Sequence, residues 1–569
     1  MAKSRNEDIK DRSNFLRGGI AEGLERQITG ALDEDDTQLT KFHGIYQQDD
    51  RDLRPERGRK KMEKAFSFMA RVRIPGGVVS PAQWLALDAI ADRHANGQLR
   101  LTTRQTVQFH HIIKSNLKSS IAAINQALLD TLAACGDVNR NVMCEANPYR
   151  SANHAAVQNL AARISAHLLP KTRAYHEIWL DGEQVITTEP QATDEEPIYG
   201  EHYLPRKFKI AIAIPPENDV DILTNDLGFV AIVEGGAIVG YDVTVGGGMG
   251  MNHGEADTFP RLADPLGFCT PDQAVAIAEA VVKAQRDHGN RSERKNARLK
   301  YTIERMGLDA FHDAVATHLG YRLPPPRGFS FTTTGDRHGW VAGEDGAQHL
   351  TLYIQAGRIA DREGYRLRTA LRELAKIHHG DFRITANQNL VIAQVRPTER
   401  PAIEALLAEH GITKAEGGLR LGALACVALP TCGLALAESE RFLPELLALL
   451  EPVLEDCGLR EDSIMLRMTG CPNGCARPYN SEIGLVGRGP GRYHLYLGAA
   501  YQGTRLNKLY RMDVDADGIR DALAPLFAHY AAEREVGEHF GDWAIRAGHV
   551  AHTEAGRDFH ANIGADAAA

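Results

Sequence analysis

Two widely separated stretches of this chain carry the same alternation of apolar and polar positions. LRLTTRQTVQF from Leu99 and FRITANQNLVI from Phe382 share arginine, threonine and glutamine at one constant offset, pairing Arg100 with Arg383, Thr102 with Thr385 and Gln105 with Gln388. Alternation of this kind predicts extended chain. A helical pattern precedes each copy. In SPAQWLALDAIADRHANG, Ser80 can cap, Pro81 suits the first helical position and Gln83 completes a capping box. The second helix is YRLRTALRELAKIHHG, and short strand patterns, SFMARVRI and HLTLYI, stand before the two helices. Together they predict a duplicated α+β unit, built into one pseudo-symmetric domain from separated parts of the chain.

A second echo follows in the same order. LPRKFKIAIAI and GFVAIVEGGAIVGYDVTVGGGMG correspond to IMLRMTGCPNGCARP and EIGLVGRGPGRYHLYLGAAYQGTR, each a strand, a loop and a glycine-bounded hairpin. Two half-proteins result, each an α+β unit followed by a larger α/β unit. The expected boundaries are a polar N-terminal arm over 1–67, a first repeat over 68–132 that pairs with a second over 339–413, an α/β domain over 133–338, and a C-terminal domain over 414–569.

At 569 residues the chain exceeds what one hydrophobic core usually serves. Its net charge of −9 argues against a general nucleic-acid binder. No window approaches the ~18 consecutive apolar residues of a membrane span. The opening MAKSRNEDIKDRSNFLRGG lacks the apolar core of a secretory signal. A cytoplasmic protein with reduced thiols is expected, and there clustered cysteines serve as ligands or redox groups more often than as disulfides.

Four of the eight cysteines cluster near the C-terminus, Cys426 with Cys432 and Cys471 with Cys475. Structural zinc favours C-x2-4-C clips, which the wider first pair fits poorly, while a [4Fe–4S] cluster tolerates varied spacing. Spacing alone leaves both metals open. Cys135, Cys144, Cys269 and Cys457 are isolated, as small buried hydrophobes would be.

Basic residues form a second constellation. If LRLTTRQTVQFH is largely extended, Arg100, Thr102, Arg104, Thr106 and Gln108 share one face. The same alternation aligns Arg71 with Arg73 and Lys207 with Lys209, and Arg140 stands in an otherwise uncharged run. A bound anion needs such cations, because burying its charge unpaired is costly. VGGGMG, from Val245, can bring backbone N–H groups to an anion but has neither P-loop nor Rossmann spacing, so it is expected to be a tight hairpin. The basic run NRSERKNARLKY is expected to be surface charge.

With FHGIYQQDDRD, RLTTRQTVQFH, YLPRKFK, GNRSERKNARLKYT, GDFRITANQNL, PTCGLALAESERFLP, TGCPNGC and FGDWAIRAG, the chain resembles the sirohaem-containing sulfite and nitrite reductase family over nearly its whole length. The resemblance implies an internally duplicated α+β fold of pseudo-symmetric ferredoxin-like halves plus two larger α/β units. It implies sirohaem and a [4Fe–4S] cluster held by Cys426, Cys432, Cys471 and Cys475, with Cys475 also the axial ligand of the haem iron. Arg71, Arg140, Lys207 and Lys209 match the family's substrate-binding cations, and Arg100, Thr102, Arg104 and Arg298 resemble its holders of sirohaem carboxylates. The implied reaction is six-electron reduction of sulfite to hydrogen sulfide, with electrons from a separate NADPH-dependent flavoprotein subunit. Alternatives are a ferredoxin donor, suggested by CARPY, nitrite as substrate, or, in another class, a non-catalytic zinc scaffold. No nucleic-acid or membrane partner is expected.

Overall fold

A computed structural model of the chain describes residues 3–171, 196–561 and 563, together with the backbone strands Ile178–Leu180 and Glu183–Ile186. The extreme ends of the expected arm and C-terminal domain lie outside the described residues.

The duplication expected from the sequence is present, and the two halves exchange strands. One sheet runs Ile45–Asp49, Phe66–Arg71, Val107–Ile112, Leu99–Leu101, Arg358–Ile359; another runs Gly339–Ala342, Gln348–Leu352, Leu390–Val395, Asp381–Ile384, Val78–Val79. Each therefore ends on a short strand lent by the other half. The lending loops turn at Gly77 and Gly357. Both have positive φ, and a Cβ there would meet a carbonyl of the opposite repeat, Ile384 O at 2.4 Å or Leu101 O at 2.3 Å.

Ser80 and Gln83 form the capping box of helix Pro81–His94, whose partner is helix Leu367–Ile377. The two helices pack together, and Arg368 and Arg372 of the second hold the buried Asp88 of the first at 2.6 and 2.5 Å. Trp84 stacks on Phe382 of the other half with ring centroids 4.9 Å apart. One apolar core thus serves both halves, and truncating Trp84 to alanine would remove about 3–5 kcal/mol.

Two further sheets repeat a single plan. Met143–Cys144, Ile210–Ala213 and Leu227–Glu234 are parallel, then Ala237–Val245 and Asp264–Cys269 return antiparallel. Ala423–Ala425, Leu466–Thr469 and Ile483–Gly489 are parallel, followed by Arg492–Leu497 and Lys508–Val514. Parallel neighbours require crossovers, supplied here by helices Ser151–His167 and Leu443–Asp456.

Two local expectations change. LRLTTRQTVQFH is not one extended run but a hairpin, with Arg100 opposite Gln108 and Leu101 opposite Val107. Its polar centre turns because Thr102 N–H bonds Thr106 O at 3.0 Å and Gln105 adopts φ 54°. Gln388 repeats that left-handed conformation at φ 67°. The arm does not stand outside the repeats either. Ile45–Asp49 is an edge strand paired with Phe66–Arg71, so a boundary at residue 67 cuts through a sheet. Among the described residues no helix is long and apolar enough to cross a membrane.

Candidate functional site

Each cysteine loop begins where a parallel strand ends. Cys426 follows Ala423–Ala425, and Cys471 follows the neighbouring Leu466–Thr469 by one residue beyond Gly470. Gly470 N–H donates to Cys426 Sγ at 3.4 Å, and Asn473 Nδ2 donates to Cys471 Sγ at 3.5 Å. The thiols are electrostatic neighbours. Burial and then Cys475 push the Cys426 and Cys432 thiols up, and the same causes push Cys471 up to about 11. Such a set resists ionising without a strongly positive centre among it. Among the described residues no three His, Cys, Asp or Glu side chains converge on a single metal ion. Four crowded thiols are the donor chemistry that an iron–sulfur cluster takes.

A cavity of about 170 Å³ adjoins this loop. Asn473 from between Cys471 and Cys475 lines it, with Arg206, Lys207, Arg294, Lys295 and Arg298 opposite. Gly250 also lines it, where a Cβ would approach Asn473 O at 3.2 Å. VGGGMG is therefore a loop beyond strand Ala237–Val245, not a tight hairpin, and Met251 N–H ties it to Pro472 O at 3.1 Å. The basic run at 290–301 is not mere surface charge, since three of its cations face the cavity. Alternation placed Arg206 opposite Lys207, but regular strand begins only at Ile210, so Arg206 and Lys207 both reach the space.

The candidate cations divide into free and committed groups. Among the described residues neither the Lys207 nor the Lys209 ammonium makes a hydrogen bond or ion pair, while the Lys209 carbonyl accepts from Leu227 N–H at 3.1 Å. Burial, then Arg206, Arg140 and Arg298, lower Lys207 to about 7. Burial, then Lys207 and Arg104, hold Lys209 well below the usual lysine range. Two cations so crowded by like charge call for an anion. Arg71 Nη1 donates to Cys135 Sγ at 3.1 Å, and with the Gln108 amide turned to satisfy both groups its oxygen accepts from Arg71 Nε at 3.2 Å. Arg140 donates to Gly136 O at 3.2 and 3.1 Å and approaches Tyr46 OH at 3.5 Å. Cys135, isolated in sequence, and Tyr46, from the arm, therefore flank the Arg71 and Arg140 cations; no spacing in the sequence links them.

The other expected cofactor-binding residues are more committed to protein partners. Arg100 pairs with Glu440 at 2.7 Å and donates to Ala425 O at 3.0 Å, and Glu440 also holds Arg358. It braces the Cys426 loop rather than presenting a free charge. Thr102 bonds Thr106 through their hydroxyls at 2.8 Å. Arg104 donates to Asn225 Oδ1 at 2.7 Å and Ile210 O at 3.0 Å, and burial lowers it to about 9. Arg298 pairs with Asp226 at 2.6 Å, and a Cβ at Gly248 would fall 2.8 Å from its guanidinium. Nε of both Arg104 and Arg298 is buried without a protein partner. Two orphaned buried donors beside a glycine-lined basic cavity suit a polycarboxylate cofactor.

The second pair of sheets also aligns the loops residue by residue. Ile210 pairs with Leu227 as Leu466 pairs with Ile483, so the intervening segments span equal lengths. Asp219 then stands at the position of Cys475 and Asp221 at that of Arg477, and both latter residues are left-handed, at φ 45° and 57°. The pairing of Met143 with Ala211 and Leu424 with Arg467 likewise sets Glu145 at the position of Cys426.

Residues 160–323 match the family described as nitrite and sulphite reductase 4Fe-4S domain. Residues 60–127 and 342–410 match the nitrite/sulfite reductase ferredoxin-like half domain. The chain is 60% identical to the sulfite reductase [NADPH] hemoprotein beta-component of Methylobacterium radiotolerans, over 98% of this chain and 91% of that protein. It is 54% identical to the protein of that name from Oceanobacillus iheyensis, over 98% and 96%. The structure of Mycobacterium tuberculosis NirA protein superposes with a TM-score of 0.77 at 25% identity, covering 96% of this chain and 97% of that one. A duplicated α+β fold around one thiol-rich, basic centre, together with these matches, places the chain in the nitrite and sulfite reductase family. The range matched by the 4Fe-4S description holds one cysteine, Cys269, buried in a strand; the four-cysteine set belongs to the symmetry-related copy.

Proposed function

We propose that this chain is the haem-bearing component of an NADPH-linked sulfite reductase, converting sulfite to hydrogen sulfide. Sulfur passes from the +4 to the −2 state, so the reaction consumes six electrons and eight protons and releases three waters. Sirohaem and a [4Fe–4S] cluster supply the electron transfer when bound. Cys426, Cys432, Cys471 and Cys475 would hold the cluster, with Cys475 shared with the haem iron, and Arg104 and Arg298 would take cofactor carboxylates. Electrons would come from NADPH, which the name of the relatives prints, through a separate flavoprotein partner, and the reaction would take place in the cytoplasm.

The observation that carries this reading is the pair of ammonium groups without partners, Lys207 beside Arg206, Arg140 and Arg298 and within electrostatic reach of Cys475, and Lys209 beside Lys207, Arg104 and Arg298. These cations bind an oxyanion and draw negative charge onto its oxygens as S–O bonds break. Lys207, at about 7, also holds a proton it can surrender near neutral pH, as departing water requires. Arg71 and Arg140, each braced by a neighbour, orient the anion.

The visible spectrum of the purified protein, with sulfite and nitrite rates measured using an artificial reductant, tests the proposal. Haem bands and a larger kcat/KM for sulfite are expected. A colourless protein would remove the enzyme reading, and a larger kcat/KM for nitrite would change the substrate.

A further inference from the structure

Arg477, two residues beyond Cys475, is 5% exposed and touches every part of the duplicated frame. Its Nε bonds the Asp221 carboxylate, which occupies the matching position of the other copy. Nη1 donates to Thr103 O at 3.2 Å, while Nη2 donates to Ala386 O at 2.9 Å and Asn387 Oδ1 at 3.1 Å. Thr103 and Ala386 are themselves equivalent residues of the two repeat loops. One planar guanidinium therefore bridges symmetry-related carbonyls, a task for which its forked donors are suited and a lysine ammonium is not.

The bridge ends on the cysteine loop. Thr103 Oγ1 donates to Cys475 O at 3.0 Å, and Arg477 N–H closes the loop onto Gly474 O at 3.0 Å. The left-handed backbone of Arg477 is uncommon for a residue with a side chain and persists only where surrounding contacts enforce it. We propose that Arg477 is a positioning residue: it locks both repeat loops to the Cys471–Cys475 turn and so fixes where the Cys475 sulfur lies relative to the basic cavity. Only the catalytic consequence of this role rests on the function proposed above.

Arg477→Lys keeps a charge for Asp221, which Arg467 also holds at 2.7 Å, so the ion pair survives while the carbonyl bridge is lost. Amide hydrogen exchange on the full chain as purified reads the loop directly. Exchange over 474–477 should accelerate about tenfold, the loss of one or two hydrogen bonds, with strand Leu466–Thr469 unchanged. Sulfite kcat should fall about tenfold with KM within about twofold and haem absorbance retained. Wild-type exchange in the loop would overturn the inference. If Arg477→Lys does not fold, Thr103→Val removes only the tie to Cys475 O; faster exchange there supports the role, and an unchanged rate overturns it. Fast exchange in a protein inactive towards sulfite would count against the proposed function and leave the positioning role standing.

Discussion

The loop that carries Cys471 and Cys475 and its counterpart between Ile210 and Leu227 share backbone length, strand pairing and a left-handed turn, yet hold opposite chemistry. One presents thiols beside a basic cavity. The other buries Asp219 where Cys475 would be, next to Glu145 where Cys426 would be. Burial pushes Glu145 up to about 8, and burial with Glu145 pushes Asp219 well up. Glu145 Oε2 and Asp219 Oδ1 accept no hydrogen bond in the protein, although Arg150 lies 3.6 Å from Glu145 Oε2 and His154 3.2 Å from its Oε1. A carboxyl that keeps its proton carries no charge to neutralise, whereas a crowded thiolate set, with Cys471 buried and Cys475 exposed, needs a cationic centre. The frame thus fixes where ligands can stand, and side-chain chemistry decides which copy would hold metal.

The largest effect expected from breaking this contrast comes from Cys475→Ser, which should cut sulfite turnover by more than about 1,000-fold; steady-state rates at matched protein concentration check it. Lys207→Ala should lower kcat by about 100-fold with haem and iron content unchanged. Loss of haem instead would assign Lys207 to cofactor binding. In the wild type the same lysine should make kcat/KM fall as pH rises through about 7, because its protonated form is the acid, and a pH–rate profile reads that limb.

The acidic copy should show itself in stability. Glu145 has a folded pKa of about 8, above its ordinary 4.5, so the stability it confers is complete below about 4.5 and is lost as pH rises through about 8. Wild-type Tm should therefore drop between about pH 4.5 and about pH 8, and Glu145→Gln should flatten the drop, as thermal melts across pH would show. Smaller still is the contrast between the clamping glutamines. Gln105 holds Cys144 O at 2.8 Å and Cys144 N at 3.0 Å, while Gln388 holds Ala356 O at 3.4 Å and Ala425 N at 3.3 Å. Denaturant unfolding should give a loss of about 2 kcal/mol for Gln105→Ala and about 1 kcal/mol for Gln388→Ala.

The repeats were legible because local patterns recur: a capping box at Ser80, matched arginine, threonine and glutamine positions, and two similar runs of strands. The cysteine set was legible because its four thiols group in sequence. Strand exchange through Val78–Val79 and Arg358–Ile359 was not, since two-residue strands leave no periodicity to detect. Arg100 appeared free for a cofactor because nothing near it in sequence reveals Glu440, which neutralises it across the fold. Cys135 and Tyr46 gave no signal because each acts only through an arginine distant in the chain. The acids opposite the cysteines became visible only through strand register.

The central claim is that Cys426, Cys432, Cys471 and Cys475 would hold the iron–sulfur cluster and that Cys475 would also couple it to the haem. Mössbauer spectroscopy of protein enriched in ⁵⁷Fe tests it most directly. The wild type should show cluster irons magnetically coupled to the haem iron, and that coupling should vanish in Cys475→Ser; coupling that persists in the variant, or is absent from the wild type, would contradict the account.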